Sequence, residues 1–512
     1  MAIRKNNRND LRVILWGQEI GTLTWNPDKQ YAYFFFSEEY FRQPYDLCPI
    51  TAPKDSPEAR QAIYGPSLKS PNMELRIYQG LPPFLADSLP DRWGNAVFDQ
   101  WFHDRKLPES QKNPLTKLSF IGSRAMGAFE FRPALEPGHY KDRPVDLSEL
   151  YKEVLQIEEN LRTRTLDDDD EKTRENINAL GTSPGGSRKK AIVSIAPDGS
   201  FHSGKTALDP DWKHCILKFN YEEYSTSETE MTYYELATEA GIRMMPSQLI
   251  SIDGSVHFLT ERFDRRDGGK QMMQTLAAIN PLAASYEDLF RTCRMLGIDE
   301  KEITALFRQT AFNFLMNNTD DHSKNFSFLM DDRFRWHLSP AYDMTFIIAE
   351  SGSKGELTHC MSIGGKTSGV TERDLLDFAA KNGIKAPQRI IDDIRTVSLR
   401  FEEKARKYGV KPHVIEIISG RLNELGRQHQ EDVLSSDLTV DGLAVSGFRF
   451  EMTHGGNIHM LASVDGRDLK RVVTKKKPLF KEIMDKGFNG ISDDEKAAIF
   501  KQHMLPMLKK EG

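Results

Sequence analysis

Asn317-Asn318-Thr319-Asp320-Asp321-His322-Ser323-Lys324-Asn325 follows an apolar run and precedes Phe326-Ser327-Phe328-Leu329. It sets an acid, a basic side chain and an amide within nine residues. Downstream, Leu338-Ser339-Pro340-Ala341-Tyr342-Asp343 places a second acid on a short turn. An acid, an Asn five residues later and a distant Asp is the layout of a phosphoryl-transfer site. In such a site one acid orients a hydroxyl, while the Asn and the second acid hold Mg²⁺ against the phosphates of ATP. A helix-end loop whose Asn, Asp and His make caps and turns would use the same residue types. The order of the other segments decides between the two.

Working outward, Ile303, Leu306, Phe307, Phe314 and Leu315 recur at helix spacing, which predicts a buried helix ending near Asn317 and Asn318. Upstream, residues 181–190 read GTSPGGSRKK and lead into the strand-like 191–195. Glycines there let backbone N–H groups approach phosphate oxygens, and the cations add charge. The order is not that of a Walker A loop, and a basic surface loop has the same composition. Trp212-Lys213-His214-Cys215-Ile216-Leu217-Lys218-Phe219 reads as a strand. Lys218 either lies on its polar face or is aimed into a cleft toward phosphates. Glu228 or Glu230 on the following helix could hold that lysine, and spacing does not choose between them. His257-Phe258-Leu259-Thr260-Glu261-Arg262-Phe263-Asp264-Arg265 reads as an edge strand that could meet adenine, or as any strand ending in a charged turn. Residues 11–36 read as an aromatic β-meander, and 80–95 as the start of a helix. In sequence order these are a glycine loop, strand Lys, helix acid, hinge strand, acid–Asn loop and turn Asp, the order of a kinase. The expected fold is α+β and two-lobed, protein-kinase-like, with a mixed α/β N-terminal lobe and a mainly α-helical C-terminal lobe.

A chain of 512 residues is longer than one core usually organises. Its 39% hydrophobic and 28% charged content is that of a soluble protein. A net charge of −6 gives no field to hold the molecule on DNA or an anionic membrane, so any nucleic-acid contact would need a local patch or a partner. Cys48, Cys215, Cys293 and Cys360 form no CxxC pair, which argues against a disulfide framework or structural zinc site. The first residues lack the apolar core of a signal peptide, and no run approaches membrane-spanning length. The expected location is cytoplasmic, with no membrane partner. In the tail, residues 438–452 read as a hairpin, Ser492-Asp493-Asp494-Glu495 as a capping-box helix start, and Lys470, Arg471, Lys475, Lys476 and Lys477 as a solvated face, or less readily as a contact for nucleic acid or an acidic partner.

Taken together these segments resemble the HipA family of serine/threonine protein kinases, the toxins of type II toxin–antitoxin modules. The resemblance runs from near residue 10 to about 425. It rests on Gly21-Thr22-Leu23, Leu81-Pro82-Pro83-Phe84, Leu89-Pro90-Asp91-Arg92-Trp93-Gly94, Phe120-Ile121-Gly122 and Met126-Gly127-Ala128. It continues with Gly185-Gly186-Ser187-Arg188, Glu261-Arg262-Phe263-Asp264-Arg265, the Asp320 and Asp343 stretches and His359-Cys360-Met361-Ser362-Ile363. The resemblance implies that Asp320 is the catalytic acid and that Asn325 and Asp343 ligate Mg²⁺. Lys218 would contact ATP phosphates, with Glu230 as its helix acid, and Glu261 and Phe263 would face the adenine. Gly185, Gly186, Ser187, Arg188 and Lys190 would cover the phosphates, with His322, Lys324 and Tyr342 in support. Ser183 matches the position at which relatives autophosphorylate to switch the kinase off. The implied substrate is a protein, typically an aminoacyl-tRNA synthetase, and the implied partner a helix-turn-helix antitoxin on a separate chain. Lys189 stands where relatives more often carry Pro or Glu, and the tail after about Ser436 has no counterpart. Expected segments are an N-terminal α/β subdomain (1–135), the rest of the N-lobe (136–266), a helical catalytic lobe (267–436) and an appended tail (437–512). Rival readings are a catalytically silent scaffold or co-repressor and a small-molecule kinase.

Overall fold

The computed structural model describes residues 10–69, 72, 74–135, 144–163, 188–203, 209–348, 358–434, 436–452, 457–465, 467–486 and 491–508. The chain divides into two compact units, the first comprising Met1–Ser368 and Arg389–Glu416, the second Gly369–Gln388 and Ile417–Gly512.

In the first unit the meander forms β1 (Asp10–Leu15), β2 (Gln18–Asn26) and β3 (Tyr31–Phe36). With β4 (Ile63–Tyr64) and β5 (Phe129–Arg132) they make an antiparallel sheet of order β4-β3-β2-β1-β5. Leu11, Val13 and Leu15 alternate with exposed or bulged positions and face the core, as Ala32 and Phe34 do on β3. Gly21 has a steric reason: a Cβ there would lie 2.2 Å from the Phe35 carbonyl oxygen. The helix Arg92–Asp104 starts where Asp91 accepts the Gly94 N–H. Hydrogen bonds tie this region to the rest of the unit. Tyr78 Oη donates to Ala277 O at 2.9 Å, Gln274 Nε2 to Leu47 O at 2.9 Å, and Thr275 N and Oγ1 to Asp87 at 2.7 and 2.8 Å.

A second antiparallel sheet contains β6 (Lys190–Ile195), β7 (Phe201–Ser203), β8 (Lys213–Lys218), β9 (Ser247–Ile252) and β10 (Ser255–Glu261), in the order β7-β6-β8-β10-β9. The stretch expected as an edge strand, β10, is therefore interior: β9 pairs along its outer side and occupies the edge. The helix Thr226–Glu239 packs on β9 and β10. After the short hairpin β11 (Arg265–Arg266) and β12 (Gly269–Lys270), the helical lobe follows, with helices at Tyr286–Met295, Glu300–Leu315 and Phe401–Tyr408. A small sheet of β13 (Met273–Thr275), β14 (Ser327–Met330) and β15 (Trp336–Leu338) underlies the cleft. Its β14–β15 hairpin carries the chain from the Asp320 loop round to Asp343. This is a two-lobed, kinase-like α+β fold. Among the described residues no helix is long and apolar enough to cross a membrane.

Lys404 fastens Phe401–Tyr408 to Thr226–Glu239, its Nζ lying 2.7 Å from Glu235 and 2.6 Å from Glu239. Burial opposes the charge of Glu235, but Lys404 and Lys407 outweigh it and hold the pKa down to about 2. A depressed carboxylate stabilises the fold above its unfolded value, and that contribution is lost as pH falls toward about 2. Lys404→Met keeps the packed stem and removes the charge. It should cost about 1–2 kcal/mol in urea unfolding at neutral pH and flatten the acid limb of stability.

The second unit contains the helix Glu372–Lys381 and a meander of β16 (Ser436–Val440), β17 (Leu443–Met452), β18 (Ile458–Val464) and β19 (Arg467–Val473) in sequential order. The expected hairpin is its first half. The second half was missed, although Ile458, Met460, Ala462 and Val464 alternate inward. The sheet shares a core with the closing helices Pro478–Lys486 and Asp493–His503, where Phe448, Met460, Ile483 and Phe500 meet. Ser492 and Glu495 form the expected capping box, and Lys470, Arg471, Lys475, Lys476 and Lys477 are exposed.

Candidate active site

Lys218 ends β8, where Cys215 and Leu217 turn into the core and Ile216 and Lys218 face a cavity of about 310 Å³. Lys218 Nζ lies 2.5 Å from Glu230 Oε1 and also contacts Asp343 Oδ1. Arg188 pairs with the other oxygen of Glu230. Glu228 turns away and accepts from Asn220 Nδ2 at 3.0 Å, so geometry makes the choice that spacing left open. Burial disfavours a charged lysine, yet Asp343 and Glu230 more than offset it and raise the pKa of Lys218. Burial likewise works to raise Asp343, but Lys218 and then Lys190 hold its pKa down to about 2. The cavity wall at Lys218 and Asp343 is thus ionised at neutral pH.

Ile216, Met244, Met245 and Phe263 add an apolar lining, and the Phe258 ring lies 5.7 Å from Lys218 Nζ. Glu261, on the rim, pairs with Lys213 at 3.0 Å, and the rings of Phe263 and Tyr342 lie 5.5 Å apart. Tyr342 Oη donates to Lys324 O at 2.7 Å, which leaves Ser327 Oγ, 2.5 Å away, to donate to it. Lys190, His322 and Lys324 line the same cavity. Gly185, Gly186, Ser187 and Ser183 lie outside the described residues.

The loop after the helix Glu300–Leu315 is organised by Asp321, whose side chain is wholly buried. It accepts from Tyr286 Oη at 2.6 Å and from the Cys360 N–H at 2.7 Å, and meets His359 Nδ1 at 2.8 Å. Asp320 therefore turns outward, with its side chain 40% exposed and His322 Nε2 3.6 Å away. His322 Nδ1 accepts from Lys324 N, so its Nε2 carries the proton that faces Asp320. Burial raises the pKa of Asp320; His322 opposes this, while Asp343 and Asp321 add to it. Asn325 Nδ2 donates to Asp320 O at 2.6 Å, but its Oδ1 is buried without a hydrogen-bond partner. An orphaned amide oxygen together with an ionised Asp343 is the oxygen donor set that Mg²⁺ accepts alongside phosphates. Among the described residues no three His, Cys, Asp or Glu gather into a self-sufficient metal site. Asp321, Tyr286 and His359 had no role in the sequence reading, and a buried partner distant in the chain leaves no local signal.

Two family models match the chain: the HipA N-terminal domain over residues 11–132 and the HipA-like C-terminal domain over 182–401. Together they take in more than half of its length. The chain is 25% identical over 205 residues to the protein named "Putative kinase Y4dM" of Sinorhizobium fredii, covering 36% of this chain and 50% of that protein. It is 25% identical over 288 residues to "Putative kinase Y4mE" of the same organism, covering 52% and 64%. It thus spans about half to two-thirds of these relatives. The fold is similar to that of HipA from Shewanella oneidensis MR-1, solved with HipB and operator DNA. The TM-score is 0.54 at 15% identity, over 82% of this chain and 96% of that one.

Proposed function

Because the chain belongs to the HipA family, we propose that it is an ATP- and Mg²⁺-dependent serine/threonine protein kinase. The observation that carries this reading is the meeting of Lys218, Glu230 and Asp343, from three separate segments, in one cavity, with Arg188 paired to the other oxygen of Glu230. Lys218, held by Glu230, pairs with the phosphates. The apolar lining, with Glu261 and Phe263, takes the adenine. Arg188, Lys190 and the loop of Gly185, Gly186 and Ser187 close over the phosphates. Asn325 and Asp343 hold Mg²⁺, which neutralises charge on the transferring phosphoryl group when bound. Asp320, tethered through its own carbonyl to Asn325, orients the substrate hydroxyl and receives its proton.

In the family the substrate is typically an aminoacyl-tRNA synthetase, whose phosphorylation stalls translation. The Shewanella HipA was solved with HipB on operator DNA, which supports a helix-turn-helix antitoxin on a separate chain as partner here. With a net charge of −6, DNA would be reached only through that partner. Phosphorylation of Ser183 would add about two negative charges beside Arg188, Lys189 and Lys190 and reset the loop. Quantitative phosphoproteomics after induction tests the reading. A new phosphoserine or phosphothreonine confined to one or a few proteins, and absent with a Lys218→Met chain, is the expected result. A phosphorylated small molecule with an unchanged phosphoproteome would replace it with the small-molecule kinase.

A further inference from the structure

Lys190 on β6 and Lys218 on β8 are direct partners across the sheet, and both line the cavity. Side chains directly opposite in an antiparallel pair share one face, where like charges repel. Each lysine has its own carboxylate. Lys218 has Glu230 at 2.5 Å, and Lys190 has Asp91 Oδ2 at 2.9 Å, with both side chains of the second pair 4% exposed. Asp91 cannot follow the ammonium if it moves, because its Oδ1 accepts the Gly94 N–H at 2.6 Å and caps the helix Arg92–Asp104. Two residues on, Trp93 Nε1 donates to Lys190 O at 3.0 Å. One turn of the N-terminal region therefore grips Lys190 by both its backbone and its side chain. The charge of Lys190 is also felt at Asp343, where it is among the groups that keep that carboxyl ionised.

We propose that Asp91 is a positioning residue for nucleotide binding. It holds Lys190 in the cavity as a second phosphate-pairing cation, doing for Lys190 what Glu230 does for Lys218. The inference rests on the kinase reading for the identity of the ligand as a nucleoside triphosphate. Two opposed ammonium groups are unfavourable beside each other and favourable beside adjacent phosphates. Each needs a fixed counter-charge to stay in place until the phosphates arrive.

The test is calorimetric titration of wild type, Asp91→Asn, Lys190→Met and the double variant with Mg·ATP and, separately, with adenosine. Asn is as good a helix cap as Asp, so Asp91→Asn removes the charge and leaves the helix start. Asp91→Asn should weaken Mg·ATP about tenfold and leave adenosine within about twofold, and the double variant should bind no worse than Lys190→Met. Equal losses for adenosine and Mg·ATP would make the pair a fastening of the fold. Unchanged or tighter Mg·ATP binding, or losses that add in the double variant, would equally overturn the positioning role. Should Asp91→Asn not fold, the charge-neutral double variant still decides, since it must bind Mg·ATP as Lys190→Met does. Wild-type binding of Mg·ATP without any phosphoryl transfer would remove the kinase reading and leave this inference standing. No binding of Mg·ATP by wild type removes both.

Discussion

Protein carrying Asp320→Ala is expected to transfer phosphate from γ-labelled ATP about 10³-fold more slowly than wild type while binding Mg·ATP equally well. The separation follows from how the loop divides its work. Asp321 is the buried strut, bonded to Tyr286, His359 and the Cys360 N–H, so the loop keeps its shape without Asp320. The Asp320 side chain does not line the cavity, and His322 Nε2 stands 3.6 Å from it. Burial, with Asp343 and Asp321 adding and His322 opposing, places its pKa above that of a free aspartate and makes it the stronger proton acceptor. Undiminished transfer by Asp320→Ala would assign the proton-accepting role to another group. Loss of nucleotide binding would instead show that the residue shapes the cleft.

Asp264→Ala should lower unfolding stability by about 3–5 kcal/mol, as much as truncating a fully buried aromatic side chain. Asp264 is completely buried. Its carboxylate meets Arg262 Nε and Nη2 and Arg265 Nη1, each at 2.8 Å, and accepts the Gly127 N–H at 2.7 Å. Burial alone would raise its pKa, but the two guanidinium groups hold it well below the ordinary carboxylate range. Removing it strands two buried cations and an N–H at once. Gly127 cannot relax to compensate, since it holds φ +72° with the Met273 backbone 3.2 Å from where a Cβ would stand. Stability that depends on this carboxylate is present above the unfolded aspartate pKa of about 3.9 and fades as pH falls below it. Chemical denaturation measures the effect, and a loss under about 1 kcal/mol would mean that the arginines find other partners.

The place of the Asp320 loop was legible because its pattern is local: the helix before it stops at Leu315, close to the Asn317 and Asn318 at which its apolar spacing gives out. Local pattern could not say which of the neighbours Asp320 and Asp321 turns inward, because that is decided by Tyr286 and His359, far away in the chain. Glu228 and Glu230 are two residues apart and so point roughly 200° apart on a helix, a difference that only the position of Lys218 resolves. Whether β10 is an edge depends on β9 lying beside it, which no property of 255–261 encodes. The strand β18 escaped notice because His459, Leu461 and Ser463, its outward residues, contrast weakly with the inward ones. Asp91 read as part of a helix start, and so it is; its second task belongs to a lysine ninety-nine positions later in the sequence.

The contacts that join the N-terminal sheet region to the catalytic half bear on how such chains can be inherited. Tyr78, Leu47, Asp87 and Trp93 each satisfy a polar group that belongs to the other half, and Asp87 and Thr275 also line the cavity. A catalytic half recombined with a different leading region would keep orphaned donors at Gln274 and Thr275 unless the newcomer supplied matching acceptors. The seam between the two family domains is therefore a poor crossover point, and substitutions on either side of it should change in concert rather than singly.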